Sequence, residues 1–140
     1  MKNQVICFSI NTFEQAKKVI QESKKINTKP VLFISYYIIS GFGIEWLRSL
    51  QLLLKKIIFK NSYKFYVDAN YDYGLSIDLI KLKVDYIKLK SNPLILNKIN
   101  QIAKKNKVLL NPSFRIVDLS NIKNIEKKIQ KFINKEKNED

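Results

Sequence analysis

The chain has 140 residues, a formal charge of +14 and 46% apolar residues, which suits a single domain with a buried core. Its apolar runs are too short to cross a bilayer, and its first residues do not resemble a signal peptide. Its single cysteine, Cys7, excludes an internal disulfide, and we expect a cytoplasmic protein.

Five short runs rich in β-branched and aromatic residues alternate with segments of helical spacing. The predicted strands are 4–10, 30–37, 64–69, 85–90 and 107–111. The predicted helices have apolar faces at Phe13, Ala16 and Ile20, at Leu47, Leu50, Leu54 and Ile57, at Leu75, Leu79 and Leu82, at Ile95, Ile99 and Ile102, and at Ile122, Ile125, Ile129 and Phe132.

Capping residues support two of these helix starts. Thr12 is followed three residues later by Gln15, which is the pattern of a capping box. Asn92 precedes Pro93, which is typical of an N-cap followed by proline at the first helical position. The charged residues 135–140 are expected to fray, so the predicted domain is 1–134.

Alternating strands and helices predict an α/β fold with a parallel sheet. The preferred architecture is a flavodoxin-like, three-layer α/β/α sandwich around five parallel strands. The alternative is a (βα)5 fragment of a TIM-like barrel.

In both architectures, ligands bind beyond the carboxyl ends of the strands. The candidate pocket therefore lies between the 35–43 and 68–74 loops. The candidate ligand-binding residues are Ser35, Gly41, Gly43, Asp68, Asn70, Gly74 and Lys90. The competing interpretation is that these polar and glycine residues only cap helices and form turns.

The stretch "DANYDYG" places oxygen ligands at alternate positions, which makes Asp68, Asn70 and Asp72 weak candidates for a Mg²⁺ or Ca²⁺ site. An EF-hand is excluded, because Tyr73 stands at its glycine position and Leu79 at its final glutamate position. The alternative is an Asx turn that leads into a helix.

Lys88 is a weak catalytic candidate. The run "VDYIKLK" resembles the lysine strand of keto-acid aldolases with a (βα)-barrel, and this resemblance implies Schiff-base chemistry at Lys88. The proline-containing sequence that follows the lysine in those enzymes is absent, as is a glutamate base on an earlier strand. The alternative is a solvated lysine near a sheet edge.

Other chemistry is limited by composition. The chain has no histidine, which excludes His-based acid–base catalysis and His metal ligation. Cys7 lies within the first predicted strand and is interpreted as a buried apolar residue. The "SGFG" stretch lacks the rest of a Rossmann fingerprint, and it predicts either a turn or an anion site before the 44–59 helix.

A longer resemblance runs through "YYIISGFGIEWLRSL" and "VDANYDYGLSIDLIKLKVDYIKLK" to the "VDL" at 117–119. These stretches resemble a family of small uncharacterised proteobacterial α/β proteins. Ser35, Gly41, Gly43 and Trp46 match its first motif, and Asp68 and Gly74 match the ends of its acidic loop. The resemblance implies an α/β architecture and a pocket at these loops, and no activity.

The basic charge has two explanations. Ile, Lys, Asn, Phe and Tyr dominate the sequence, as expected of an AT-rich genome. The alternative is nucleic-acid or ribosome binding through lysine-rich helices, marked by Lys17, Lys18, Lys24 and Lys25 and by Lys123, Lys127, Lys128 and Lys131. Arginine, which base reading and phosphate clamping favour, is almost absent.

Three functions follow in order of preference. The first is a non-catalytic or degenerate module that binds a small ligand or anion. The second is an aldolase- or lyase-like enzyme that uses Lys88, and the third is a nucleic-acid or ribosome-associated basic protein. The sequence points to no particular cofactor and predicts no membrane partner.

Overall fold

The computed structural model describes residues 6–57, 62–119, 127, 130 and 131. Strands and helices alternate along most of this length. In chain order the elements are β1 (Ile6–Ser9), α1 (Phe13–Lys25), β2 (Val31–Ile34), α2 (Tyr36–Phe42), α3 (Ile44–Ile57), β3 (Lys64–Asn70), α4 (Tyr73–Lys81), β4 (Tyr86–Leu89), α5 (Pro93–Lys105), β5 (Leu109–Leu110) and β6 (Arg115–Asp118).

The strands form one parallel sheet in the order β5-β4-β3-β2-β1-β6. Successive strands from β1 to β5 are therefore spatial neighbours, and β6 adds to the other side of β1. Right-handed crossovers that always advance in one direction place their helices on one face of the sheet. This strand order is the one expected of a (βα)-barrel wall, in which each βα unit lies beside the next.

Burial confirms that the described helices share one face. Buried residues of α1 to α5 join Phe8, Leu32 and Phe65 in one large core cluster. Alternate strand residues form a separate cluster that contains no helical side chain: Cys7, Val31, Phe33 and Tyr66, with Tyr86 and Phe114 packed against them. We call the side of the sheet that carries this second cluster the helix-free face.

The sheet must curl. Residues 111–114 alone connect β5 to β6, which lie at opposite edges of the sheet. Five strand spacings of a flat sheet span about 24 Å, whereas the chain from Leu110 to Arg115 reaches at most about 18 Å. Phe114 of this link contacts the rings of Tyr66 and Tyr86 on the helix-free face, with centroids 5.8 and 4.8 Å apart. The link therefore crosses the concave side of a curved, barrel-like sheet.

Three helices end in the same way. After α1, α4 and α5 the chain passes through a residue of positive φ, and these residues are Asn27 (60°), Lys83 (59°) and Lys107 (60°). Around Lys83, its own amide donates to Ile80 O at 3.0 Å and the Val84 amide donates to Leu79 O at 3.4 Å. This pair of bonds is a Schellman motif, which usually has glycine at the left-handed position.

The α/β fold with a parallel sheet is confirmed, as are the five predicted strands; four are shorter than predicted, and β3 is one residue longer. The sheet has a sixth strand, β6, and residues 36–42 form helix α2 rather than a continuation of β2. The second helical layer of the preferred flavodoxin-like architecture is not seen among the described residues, because the helices α1 to α5 all pack on one face of the sheet. Of the helix predicted over 122–132, only residues 127, 130 and 131 are among the described residues. The predicted 135–140 tail lies outside the described residues.

Both predicted helix starts are confirmed. The Gln15 amide donates to Thr12 Oγ1 at 3.1 Å, and the Ile95 amide donates to Asn92 Oδ1 at 2.9 Å. Among the described residues, no helix is long and apolar enough to cross a membrane.

Candidate functional site

All strands point in one direction, so their carboxyl ends share one edge of the curved sheet. We call this edge the carboxyl rim; it comprises residues 10–12, 35–37, 71–73, 90–92, 111–113 and 119, which directly follow the strands. The candidate residues Ser35, Asp68 and Lys90 belong to β2, β3 and β4 or to the residues directly after them, and these three strands are adjacent. The structure therefore brings the three loops together at one edge.

Aromatic side chains fill the helix-free face below the rim. Phe33 and Tyr66 pack edge to face with centroids 5.1 Å apart, and Tyr66 meets Tyr86 at 6.2 Å. These rings form a layer together with Phe114. Phe33, Tyr66 and Tyr86 are register neighbours on β2, β3 and β4, and Phe114 contacts Tyr66 and Tyr86 from the 111–114 link. This aromatic layer therefore lies on the concave side of the sheet, below the carboxyl rim.

Asp68 and Lys88 lie one step above the aromatic layer. They are register partners on β3 and β4, and both side chains are half-buried on the helix-free face, because they lie two residues beyond Tyr66 and Tyr86. Asp68 Oδ1 accepts a hydrogen bond of 2.8 Å from the Asn70 amide, which is an Asx turn. No ion pair joins Asp68 to Lys88 among the described residues.

A β-bulge interrupts β3 between Asp68 and Asn70. Asn70 adopts a φ of 52°, and its carbonyl accepts a hydrogen bond of 2.7 Å from the Lys90 amide. The Lys90 ammonium lies 5.8 Å from the centroid of the exposed Tyr71 ring. β-Bulges frequently change the direction of side chains beside functional sites. This bulge lies where β3 and β4 reach the carboxyl rim.

The glycine and serine candidates have structural roles. Ser35 caps α2 by accepting from the Ile38 amide at 3.4 Å. Gly43 ends α2 with a φ of 89°, whereas Gly41 lies inside α2, so its predicted place in a turn is wrong. Gly74 lies inside α4, after Asp72, which caps this helix through the Leu75 amide at 2.9 Å. Ligand binding by these residues stays a prediction.

The weak metal candidates make local hydrogen bonds. Asp68 Oδ1 and Asp72 Oδ1 each accept from a backbone amide of the loop or helix that follows, and Asn70 is held by its bond to the Lys90 amide. In the part of the chain that the structure describes, no group of three or more cysteine or acidic residues could hold a metal ion.

Burial raises the pKa values of two ionisable groups in the aromatic layer and beside it. Cys7 is fully buried, which confirms its predicted apolar role, and this burial raises the pKa of its thiol to about 12. Burial, with smaller contributions from Cys7 and Asp68, raises the pKa of Tyr66 to about 12. Neither group is ionised near neutral pH, so a nucleophilic role for Cys7 has no support.

A basic cleft at the opposite edge was not predicted from the sequence. It has a volume of about 430 Å³ between α3 and α4 and includes Arg48, Lys55, Lys81 and Lys83 in its lining. The lysines lie at or just after the C-terminal turns of these helices, where cations offset the negative end of the helix dipole. Their charge therefore has a structural explanation.

The lysine-rich helices are partly engaged within the fold. Lys25 Nζ lies 2.9 Å from Glu22 Oε2, and Glu22 is only 4% exposed. Lys18, Lys24 and Lys127 also take part in contacts within the protein. Lys123 and Lys128 lie outside the described residues. Binding of nucleic acid by these helices stays a prediction.

Sequence comparison assigns no family: no family model matches the chain, and no curated protein matches it. The likeness to small proteobacterial α/β proteins thus stays a prediction. Solved structures do match. One is described as a "putative fructose-1,6-biphosphate aldolase" from Coccidioides immitis, with a TM-score of 0.61 and 9% sequence identity. The match covers 76% of this chain and 40% of that chain. At this identity the likeness shows the fold alone: an α/β chain with a parallel sheet that is similar to part of an aldolase barrel.

Proposed function

We propose that the chain binds a small anionic ligand at the carboxyl rim, above the aromatic layer, through Lys88 and Lys90. The observation that carries this proposal is the arrangement of these two lysines. Lys88 lies in β4 and Lys90 directly follows this strand, and neither has a carboxylate within 4 Å among the described residues. Two cations that make no ion pair among the described residues would attract an anion to this end of the sheet.

The surroundings of Lys88 support the same proposal. Its half-buried position lowers the effective dielectric around its ammonium, so a ligand charge there would interact more strongly than at an exposed surface. Asp68, its register partner, is held by the Asn70 amide and could accept a hydrogen bond from a ligand hydroxyl through its other oxygen. The predicted likeness to proteobacterial α/β proteins points to the same loops.

Differential scanning fluorimetry with phosphate, pyrophosphate, ribose 5-phosphate and simple keto acids tests this proposal. At least one compound should raise the melting temperature in a concentration-dependent manner. The Lys88→Ala/Lys90→Ala variant should lose the shift. The Lys98→Ala/Lys104→Ala variant removes the same charge from exposed positions of α5 and should keep it. Absence of any shift in the unmodified chain would overturn the proposal.

A second candidate function is carbonyl chemistry at Lys88. The observation that favours it is that Lys88 faces the concave side of a sheet similar to part of an aldolase barrel, beside the carboxylate of Asp68. The neutral amine would add to the carbonyl carbon of a keto acid and form an imine with loss of water. Asp68 is the nearest described carboxyl group on this face that could transfer the proton.

Borohydride trapping tests this second candidate. Hydride addition to the imine carbon would leave a stable secondary amine, which peptide mass mapping would locate. Pyruvate and dihydroxyacetone phosphate are suitable carbonyl probes. An adduct at Lys88 that is absent in Lys88→Arg would support the imine. Labelling spread evenly over exposed lysines such as Lys98 and Lys104 would contradict it.

A further inference from the structure

Exposed aromatic side chains are confined to one part of the described molecule. Their exposed fractions are 83% for Tyr37, 63% for Phe42, 70% for Tyr71 and 59% for Tyr73. All of them lie within 37–42 or 71–73, the segments that follow β2 and β3, whereas the exposed large hydrophobic side chains elsewhere in the described part are aliphatic. A general excess of aromatic residues would not produce this segregation.

The tyrosines of this group lie at the carboxyl rim itself. Tyr37 is the third residue after β2, and Tyr71 directly follows β3, which is the hydrogen-bonded neighbour of β2. Tyr73 begins α4 two residues later. Neighbouring strands are about 5 Å apart, so the segments that carry these tyrosines begin side by side at the carboxyl rim.

A cationic side chain lies beside the exposed ring of Tyr71. The Lys90 ammonium lies 5.8 Å from the centroid of its ring, so an anion on Lys90 would be anchored beside an open aromatic face. Exposed apolar side chains that cluster in one place mark interaction sites more often than scattered ones do, and a flat aromatic group is the partner that uses ring faces best. A ligand that joins a phosphate to a planar base satisfies both features.

We infer that the ligand of the carboxyl rim is a nucleoside phosphate, either free or as part of a single strand, with its phosphate on Lys88 and Lys90 and its base on Tyr71 and Tyr37. This inference rests on the proposed anion binding and adds the base to it. The +14 charge would favour approach of such an anion over the neutral surface of a protein partner.

Titration of AMP against ribose 5-phosphate isolates the base, because the two share the sugar phosphate. Stacking on exposed rings should make AMP bind about 5- to 150-fold more tightly. The Tyr37→Leu/Tyr71→Leu variant, which keeps apolar bulk and loses the ring faces, should bind AMP and ribose 5-phosphate alike. The Tyr37→Phe/Tyr71→Phe variant should restore the preference. All four substitutions are at exposed positions, and circular dichroism would verify an intact fold.

The outcomes separate the two proposals. Equal binding of AMP and ribose 5-phosphate to the unmodified chain would overturn the nucleoside inference and leave anion binding in place. Binding of neither, at low salt, would overturn both. A short single-stranded oligonucleotide that binds far more tightly than AMP, with a steep salt dependence and with the same loss in the leucine variant, would support the single strand as the source. Concentration-dependent dimerisation that the leucine variant abolishes, without any base preference, would overturn the inference in favour of a second copy.

Discussion

The side-chain amide of Asn111 bonds both polar groups of the Leu89 backbone. Its Oδ1 accepts from the Leu89 amide at 2.8 Å, and its Nδ2 donates to the Leu89 carbonyl at 3.1 Å. Leu89 is the last residue of β4, beyond the end of the short β5, so its backbone groups have no strand partner on that side. Asn111 thus extends the pairing of β4 at the position between Lys88 and Lys90.

Replacement of Asn111 by glycine should destabilise the protein by about 1–3 kcal/mol, because the amide and carbonyl of the buried Leu89 lose their partners. Glycine tolerates the φ of 52° at this position, so the loss reports the hydrogen bonds rather than backbone strain. Urea unfolding measures the change. Asn106→Ala, which removes one exposed bond to Ile102 O, is the matched control and should cost less. An equal loss in both variants would contradict this role of Asn111.

Substitution of Lys83 or Lys107 by glycine should stabilise the protein by about 0.5–1 kcal/mol each. Both lysines adopt the left-handed conformation of a Schellman motif, which costs a side chain about 1–2 kcal/mol, and glycine removes this cost while adding some chain entropy. The shift of the urea midpoint measures the effect. Lys104→Gly, inside α5, should instead destabilise by about 1 kcal/mol. A loss at Lys83 similar to that at Lys104 would show that the motif is not under strain.

Cys7 should resist thiol reagents in the folded protein. With a pKa of about 12, its thiolate fraction at pH 8 is on the order of one in ten thousand, and the side chain is fully buried. A disulfide reagent such as Ellman's should therefore react only as fast as the protein opens, and at once in guanidinium. Rapid labelling of the native chain would contradict the burial of β1.

Stability should fall at alkaline pH because Cys7 and Tyr66 are held neutral. Their pKa values rise on folding from 9.0 and 10.0 to about 12. The contribution of these two neutral groups to the free energy of unfolding is complete below pH 9 and is lost as the pH rises toward 12. Tyr66→Phe should show a weaker decline between pH 10 and 12 in urea unfolding. Parallel curves for the two proteins would count against the buried hydroxyl as a source of the decline.

Asp85 should reduce stability as its carboxyl group ionises. Burial raises its pKa above 3.8, although the Phe65 amide and Lys64 act in the opposite direction. The folded state then favours the protonated form, so the stabilising contribution of Asp85 is complete below about pH 4 and is lost as the pH rises through its folded-state pKa. Asp85→Asn keeps an acceptor for the Phe65 amide and should flatten this part of the pH profile. A steeper slope in the variant would show the opposite sign for the Asp85 contribution.

The alternation of strands and helices could be predicted because local hydrophobic periodicity and capping residues determine it. Val31–Ile34 is apolar on both faces, and Thr12 and Asn92 cap helices in the predicted way. β6 was missed because Arg115–Asp118 is short and largely exposed, so its pairing with β1 is set by the curl of the sheet and not by its own pattern. The one-sided placement of the helices likewise depends on strand order, which no local signal records.

The sequence predicted which loops lie together at one edge of the sheet, and ligand binding by these loops stays a prediction. The rule that parallel strands end at one edge was enough to bring Asp68, Lys88 and Lys90 together. The aromatic layer and the exposed tyrosines were not foreseen, because the side-chain burial of Tyr66 and the exposure of Tyr71 depend on which face and which loop each residue occupies. Gly41 was misplaced because α2 begins at Tyr36, where the β-rich composition of "PVLFISYY" suggested a longer strand.

The pairing of β6 with β1 has a consequence for biosynthesis. Cys7 and Ile116 are register partners 109 positions apart, whereas β1 to β4 each pair with the strand that follows next in the chain. On the ribosome, the strands from β1 to β5 can therefore assemble in the order of their synthesis. The free side of β1 stays open to association with other nascent chains until residues 115–118 leave the exit tunnel, so completion of the sheet waits for one of its smallest strands.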